Sequence, residues 1–285
     1  MSSDLDFSAW IGKSETEHGV ATAYPADYFT ATLDRDDPPF TDGDPLPPAW
    51  HYFYFHELVR LAETGPDGHR AKGHFMPPIP FPRRMWAASE MTFESPILIG
   101  EKIRKVITIA DIAVKEGKSG ALCFVTTTDE VFGEDGRLTT IEKRTQVYRD
   151  AADPNAPTPA PRPAPAEAVW SRTIRPSAVL LFRYSALTMN SHRIHYDKDY
   201  VRDAEGYPGL LVHGPLTMTL MLDLFRREMP DATIGSFNLR AVSPVYDTMD
   251  FSVHGGPGDD PGTAKLWAMT GEGALAMTAD VNYAG

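Results

Sequence analysis

The chain of 285 residues holds a single cysteine, Cys123. One thiol allows no intramolecular disulfide and no cysteine metal cluster. Cys123 lies in the apolar run Ala121-Leu122-Cys123-Phe124-Val125, where a free cysteine acts as a small hydrophobe, so it reads as inert strand packing. Also missing is any apolar run of the roughly 18 residues that a membrane-crossing helix needs. The first residues, Met1 to Phe7, carry Asp4 and Asp6 and lack the basic and apolar regions of a secretion signal; a cytoplasmic location is expected. Positive charge is scarce too. Lys and Arg number 27 against 39 Asp and Glu, a formal net charge of -12. Nucleic acid or a membrane surface would have to approach against that field, so neither is an expected partner. A small anionic ligand fits only where basic residues gather locally.

What is present is ordinary for a soluble globular protein: 42% hydrophobic and 23% charged residues, enough for one large domain or two of about 140 residues. Residues 1–47 are polar, acidic and rich in breakers such as Asp36-Asp37-Pro38-Pro39, and little chemistry is visible there. From Ala49 to Ala62, Trp50, Phe53, Leu58 and Leu61 recur near helical spacing behind Pro47-Pro48, which predicts a buried helix of about 14 residues. The aromatics Trp50, Tyr52, Phe53, Tyr54 and Phe55 read as core, with lining of a ligand pocket as the second reading. The proline-rich segment from Gly73 to Trp86 cannot donate a continuous ladder and predicts a fixed loop. Its tip, Arg83-Arg84 with Trp86, is either a solvated basic pair beside a core indole or a grip for phosphate or carboxylate. Strand-like runs follow at Ala88–Phe93, Lys102–Val114, Ala121–Val131 and Thr139–Tyr148, parted by glycine-rich turns.

Residues 151–168 hold six prolines and no periodicity, which predicts an extended linker that spans without packing. Beyond it the order repeats in outline. Trp170–Ile174 reads as a strand, Ser177–Met189 as a helix with Ser177 as its N-cap, and a second helix starts at His213-Gly214-Pro215. Strand-like runs return at Thr233–Val242, Thr248–His254, Thr263–Met269 and Ala274–Asn282. The expected class is α+β, a double hot-dog in which each half is a long helix wrapped by a bent antiparallel sheet. The expected boundaries are 1–150, a linker at 151–168, and 169–285, with the two sheets joined edge to edge.

The densest chemistry follows the Ser177–Met189 helix, where Asn190, His192, Arg193, His195 and Asp197 fall within eight positions. On the residues alone, a histidine in such a loop is more often structural than catalytic. His192 and His195 form a His-x-x-His pair, but a metal needs a third and usually a fourth ligand, and only Asp197 and His213 are near in sequence; no metal is expected.

The stretch from Tyr184 to Asp197, followed by Val212-His213-Gly214-Pro215-Leu216, resembles the hydratase motif of the MaoC-like hot-dog family. Ala31–Pro38, Gly43–His51 and Pro80–Trp86 are similar to the branch holding mesaconyl-CoA and itaconyl-CoA hydratases and the mitochondrial 3-hydroxyacyl-thioester dehydratase. The first half is then a degenerate repeat on the acyl-pocket side. The resemblance implies reversible hydration of an enoyl-CoA thioester, with His195 moving protons and the backbone N–H of Gly214, at a helix start, facing the thioester oxygen. Asn190 stands five positions before His195, where the family usually has aspartate. An amide is no proton acceptor at neutral pH, so its implied part is to position water. Arg193, Lys198, Arg83 and Arg84 become candidates for the phosphates of CoA or for a free acyl carboxylate, and His192, His213 and Trp86 for substrate contact. A C5 dicarboxylic acyl-CoA (mesaconyl, itaconyl or citramalyl) is the favoured substrate, and no cofactor is implied beyond that thioester; a homodimer is compatible with the family. The alternatives are a dehydratase of fatty 3-hydroxyacyl thioesters, a thioesterase using Asp197, and a non-catalytic acyl-CoA binder marked by Asn190.

Overall fold

In the computed structural model, which describes residues 5–117, 120–150 and 160–285, ten strands form one antiparallel sheet in the order β1-β3-β4-β5-β2-β7-β10-β9-β8-β6. The first five are β1 (Ser14–Val20), β2 (Arg83–Phe93), β3 (Lys102–Gly117), β4 (Gly120–Phe132) and β5 (Leu138–Arg149). The second five are β6 (Trp170–Ile174), β7 (Thr233–Ala241), β8 (Phe251–Pro257), β9 (Thr263–Met269) and β10 (Leu275–Ala284). Replacing each strand of the first five by its counterpart five further along reverses the order, so the chain is a structural duplication. The seam is β2 against β7, from Ala88 opposite Arg240 to Thr92 opposite Ser236.

The longer helices are α1 (Ala23–Thr32), α2 (Ala178–Thr188) and α3 (Gly214–Glu228); α3 packs on β6, β8 and β9, and α1 and α2 pack on each other and on the 3-10 turn Trp50–Phe53. Helix α3 is the core of the second half. Every residue from Leu216 to Phe225 is buried, as expected of a helix wrapped on all sides rather than lying on a surface. The one acid in that run, Asp223, has a fully buried side chain that accepts from Arg35, Arg172 and Arg227 at 2.8, 2.6 and 2.8 Å. Arg172 and Arg227 also donate to the Leu33 carbonyl, so this cluster fastens α3 to β6 and to the end of α1.

The helix expected over Ala49–Ala62 does not form. Two short 3-10 turns, Trp50–Phe53 and Leu61–Glu63, stand in its place; Ala49 before the first is left-handed at φ 67°, and Leu58 and Leu61 are exposed. Four consecutive aromatic rings, Tyr52 to Phe55, surround a helix instead of lining one face of it, and Trp50 and Phe53 gain more by packing on Phe29, at centroid distances of 5.0 and 4.6 Å. The first half's helix is instead α1, within the stretch that reads as turn-rich. Its sequence, with Pro25 and five β-branched or aromatic residues, is poor in helix formers, and burial of Ala26, Phe29 and Thr30 stabilises it.

Strand β1 was equally hidden, since its alternating exposure and charged side chains suit a sheet edge. Arg83, Arg84 and Trp86 are corrected from loop to strand. They open β2 and pair with β5 from Arg83 opposite Arg149, with a bulge between Trp86 and Ala88. In the proline-rich linker, residues 151–159 lie outside the described residues. The described remainder stays exposed but is tied to the second half by its backbone: Leu275 N–H donates to the Arg162 carbonyl at 2.8 Å and Ala164 N–H to that of Gly273 at 3.1 Å. An extended chain between prolines keeps backbone groups that can bridge to a neighbouring turn. Cys123 is wholly buried, and burial pushes its thiol up to about 11.

Candidate active site

Helix α2 starts at Ser177, whose side chain accepts from the N–H of Leu180 at 3.2 Å, and stops at Met189, left-handed at φ 49°. The chain then turns sharply. Asn190 N–H donates to the Ser185 carbonyl at 2.9 Å, and its side-chain oxygen accepts from His192 N–H at 3.0 Å. One lone pair of the amide oxygen is thus used to shape the loop; the second, and the NH2 group, have no such duty. A 3-10 turn, Arg193–His195, follows.

This loop is strapped to a segment of the first half. Arg193 N–H donates to the Asp67 carbonyl at 2.9 Å, Arg193 Nη1 to that of Pro66 at 3.0 Å, and Ser191 Oγ to that of Gly68 at 2.6 Å. The approach is close enough that a Cβ on Gly68, itself at φ +89°, would stand 2.0 Å from the Ser191 carbonyl oxygen. Only glycine allows it.

The strap delivers a fourth imidazole to the three that the sequence pointed to. His69 lies 4.3 Å from His192 between ring centroids, His192 stands nearly perpendicular to His195 at 5.6 Å, and His195 stacks on His213 at 3.6 Å and 18°. His195 Nδ1 donates to the Leu211 carbonyl at 2.7 Å, which fixes the proton on Nδ1 and leaves Nε2 with a free lone pair. His213 Nε2 bonds Ser185 Oγ at 2.8 Å, while its buried Nδ1 has no partner. Burial disfavours the charged form of all four rings. It pushes His195 down to about 4, against a small opposing effect of the Leu211 carbonyl, and His192 down to about 3, helped by His195 and Arg84. His69 and His213 are also held well below the ordinary histidine range, by burial first and neighbouring positive charge second. At neutral pH the cluster is uncharged and His195 Nε2 is a base.

Gly214 is the first residue of α3, directly after His213. The N–H groups of a first helical turn have no partner within the helix, so this end offers donors and a positive dipole. The side chain is absent for a packing reason: a Cβ here would lie 2.7 Å from Cε3 of Trp86. Trp86 thus reaches across the β2–β7 seam to lie on the helix start, and its buried Nε1 has no partner.

The cations divide. Arg193 is committed inside the fold: Nε and Nη2 donate to Asp197 Oδ2 at 3.0 and 2.8 Å, and the guanidinium lies over the Tyr200 ring. Arg83 Nη2 donates to the Glu205 carbonyl at 2.8 Å, which pins residues 198–205. Lys198 is exposed, 3.6 Å from Asp247. Arg84 differs from these. Its Nη2 is buried without a hydrogen-bond partner, and the Asp67 carboxylate stands off at 3.9 Å.

Asp67, His69 and Lys72 lie in a stretch to which the sequence analysis gave no role. The signal was the Asp-Gly-His turn between Gly65 and Gly73. Lys72 Nζ donates to the carbonyls of Ile79 and Phe81 at 2.9 and 2.7 Å, and so holds the proline-rich run in place. A separate open groove on the second half, lined by Val169, Gly255, Gly256, Leu266 and Trp267, includes none of the four imidazoles.

Residues 49–247 match the model of the hydroxyacyl-thioester dehydratase type 2 family. The chain is 39% identical over 284 residues to a mesaconyl-C(4)-CoA hydratase of Chloroflexus aurantiacus, covering 99% of this chain and all of that one. Among solved structures, a MaoC-like dehydratase from Phytophthora capsici superposes with a TM-score of 0.72 at 12% identity, over 98% of this chain and 99% of that one. A Mycobacterium tuberculosis protein described as a double hot-dog fold superposes with a TM-score of 0.57 at 11% identity, over 99% of this chain and 98% of that one. At such identities the likeness is one of fold, and it agrees with the mirrored strand order. By the extent of the family match and the full-length relative, this chain belongs to the hydroxyacyl-thioester dehydratase type 2 family, built as a double hot-dog.

Proposed function

We propose that the protein adds water reversibly across the double bond of an enoyl-CoA thioester, with a C5 dicarboxylic acyl group of the mesaconyl, itaconyl or citramalyl type as its favoured substrate. The observation that carries the reading is His195: its Nδ1–H is spent on the Leu211 carbonyl, burial keeps the ring neutral, and it stacks on the residue that precedes the helix start at Gly214. The likeness to a mesaconyl-C(4)-CoA hydratase supports the substrate class.

In this reading Nε2 of His195 takes a proton from water as the water oxygen bonds to C3. The double-bond electrons move onto the thioester, and the oxygen that gains charge accepts from the N–H of Gly214. The imidazolium then gives its proton to C2 and the carbonyl re-forms. The proton removed is the proton returned, so the reaction calls for no electron carrier and no cofactor. Asn190 holds the water through its NH2 group and second lone pair, which an amide can do and an aspartate would do with a charge. Run backwards, the same steps dehydrate a 3-hydroxyacyl thioester.

Incubation with mesaconyl-CoA and crotonyl-CoA tests this by loss of enoyl absorbance and by the mass gain of one water. His195→Ala should fold normally and lose at least about 10²-fold in turnover, the lower range for one acid/base group. Near-normal turnover of that folded variant removes the assignment, and release of free thiol would show thioester hydrolysis instead.

A further inference from the structure

Resting on the hydratase reading, we infer that Arg84 recognises the distal carboxylate of the acyl group and so sets the preference for dicarboxylic over monocarboxylic thioesters. Arg84 and Trp86 are two apart on β2 and share a face of the strand. Trp86 lies on Gly214, whose N–H faces the thioester oxygen in the hydratase reading. Arg84 Nη2 stands 3.9 Å from the Asp67 carboxylate, which accepts from the N–H of His69 at 3.0 Å, so the guanidinium sits at the His69–His192 end of the row of imidazoles and Trp86 at its His213 end. The strand therefore runs past the reactive carbons with an indole at the thioester side and a guanidinium beyond.

That guanidinium is under-compensated. Nη2 is buried and bonds to nothing, and Asp67 at 3.9 Å is too distant for a hydrogen bond. Lys72, a second cation, lies close enough for Arg84 to oppose its protonation. The four neighbouring rings are neutral and supply no negative charge. A half-buried guanidinium whose one neighbouring carboxylate stands at ion-pair but not hydrogen-bond distance is only partly compensated, and an incoming carboxylate would add a charge-assisted bond. The phosphates of CoA are the other anionic source, but they are separated from the thioester by the whole pantetheine arm. A cation next to the reacting imidazoles is beyond their reach, whereas the free carboxylate of a four- or five-carbon diacid lies only a few bonds from C2 and C3. Arg83 and Arg193 do not compete for this role, because Glu205 and Asp197 already hold them.

The experiment compares kcat/KM for mesaconyl-CoA, crotonyl-CoA and the analogue of mesaconyl-CoA whose free carboxylate is a carboxamide, on the native protein, Arg84→Gln and Arg84→Lys. Arg84→Gln should lower the ratio of mesaconyl-CoA to crotonyl-CoA efficiency by roughly 10- to 100-fold, the worth of one hydrogen bond to a charged group, with Arg84→Lys recovering part of the ratio. On the native protein the carboxamide should lose the same factor, and Arg84→Gln should add no further loss to it. Equal losses for all three substrates, or losses from variant and carboxamide that multiply independently, overturn the inference. If Arg84→Gln does not fold, full activity of the native protein on the carboxamide overturns it alone. Failure of the native protein to hydrate any of the three esters refutes the hydratase reading instead.

Discussion

Replacing Gly214 by alanine tests the contact between the two halves at the point where they meet the chemistry. The added Cβ would stand 2.7 Å from Trp86 Cε3 and 3.3 Å from Cζ3, against an ordinary carbon–carbon separation of about 3.5–4.0 Å. Either the indole or the helix start must retreat by about 1 Å. Gly214 does not have a positive φ, so alanine meets no backbone penalty and the cost is purely one of crowding. Overpacking of this kind costs about 1–3 kcal/mol. For a chain of this size that lowers the melting temperature by roughly 2–4 °C per kcal/mol. With Gly214 as the proposed oxyanion donor, turnover should fall further than stability, because a displacement of about 1 Å there can cost on the order of 10²-fold. The discriminating measurement is a double-mutant cycle by urea unfolding. In a Trp86→Leu background the extra methyl has room, and alanine's better helix propensity, up to about 1 kcal/mol, should make the substitution neutral or mildly stabilising. The same destabilisation in both backgrounds would refute the steric account.

Two further outcomes follow from charge. Because His195 is held down to about 4, kcat/KM should stay level as the pH falls from 8 and drop only on approach to that value, whereas a solvated histidine would lose activity through about 6.5; a pH–rate profile with its acid limb near 6.5 contradicts a buried, neutral base. Asp223→Ala should cost about 3–5 kcal/mol in urea unfolding, the range for removing one partner of a buried ionic cluster, since it strips the shared carboxylate from Arg35, Arg172 and Arg227; a loss under about 1 kcal/mol would reduce that cluster to the worth of a surface pair.

How much of this was legible beforehand depended on whether the signal was local. Strand Trp170–Ile174, the N-cap at Ser177 and the helix start at Gly214 each rest on turn chemistry or periodicity within a few residues, and they stand where the sequence places them. The reactive loop was visible because its groups crowd into one stretch. Helix α1 and strand β1 were not, since their propensities are weak and long-range burial or edge pairing decides their conformation. The aromatic run after Ala49 misled for the opposite reason, having strong apolar content without a single face. His69 was out of reach because its meaning lies in a partner, His192, more than a hundred residues away. Likewise nothing local separates Arg84 from Arg83 or Arg193; only the partners found in the fold show which guanidinium is left over.

The mirrored sheet keeps a long buried helix in one repeat and replaces it, at the corresponding chain position of the other, with two short 3-10 turns and an irregular run up to β2. Those two repeats then face different evolutionary constraints. The helical one is bound to its sequence by a fully buried segment, so its chemistry is hard to change without unfolding it. Its twin contributes Asp67, His69 and Lys72 from residues 56–74, none of which is fully buried, and Arg84 and Trp86 from the strand reached after Phe75, Ile79 and Phe81 have entered the core, so insertions and exchanges in 56–74 meet no core. Diversity of acyl groups among relatives should therefore be written in the first repeat, and exchanging residues 54–86 between two relatives should carry substrate preference with it while the reaction stays the same.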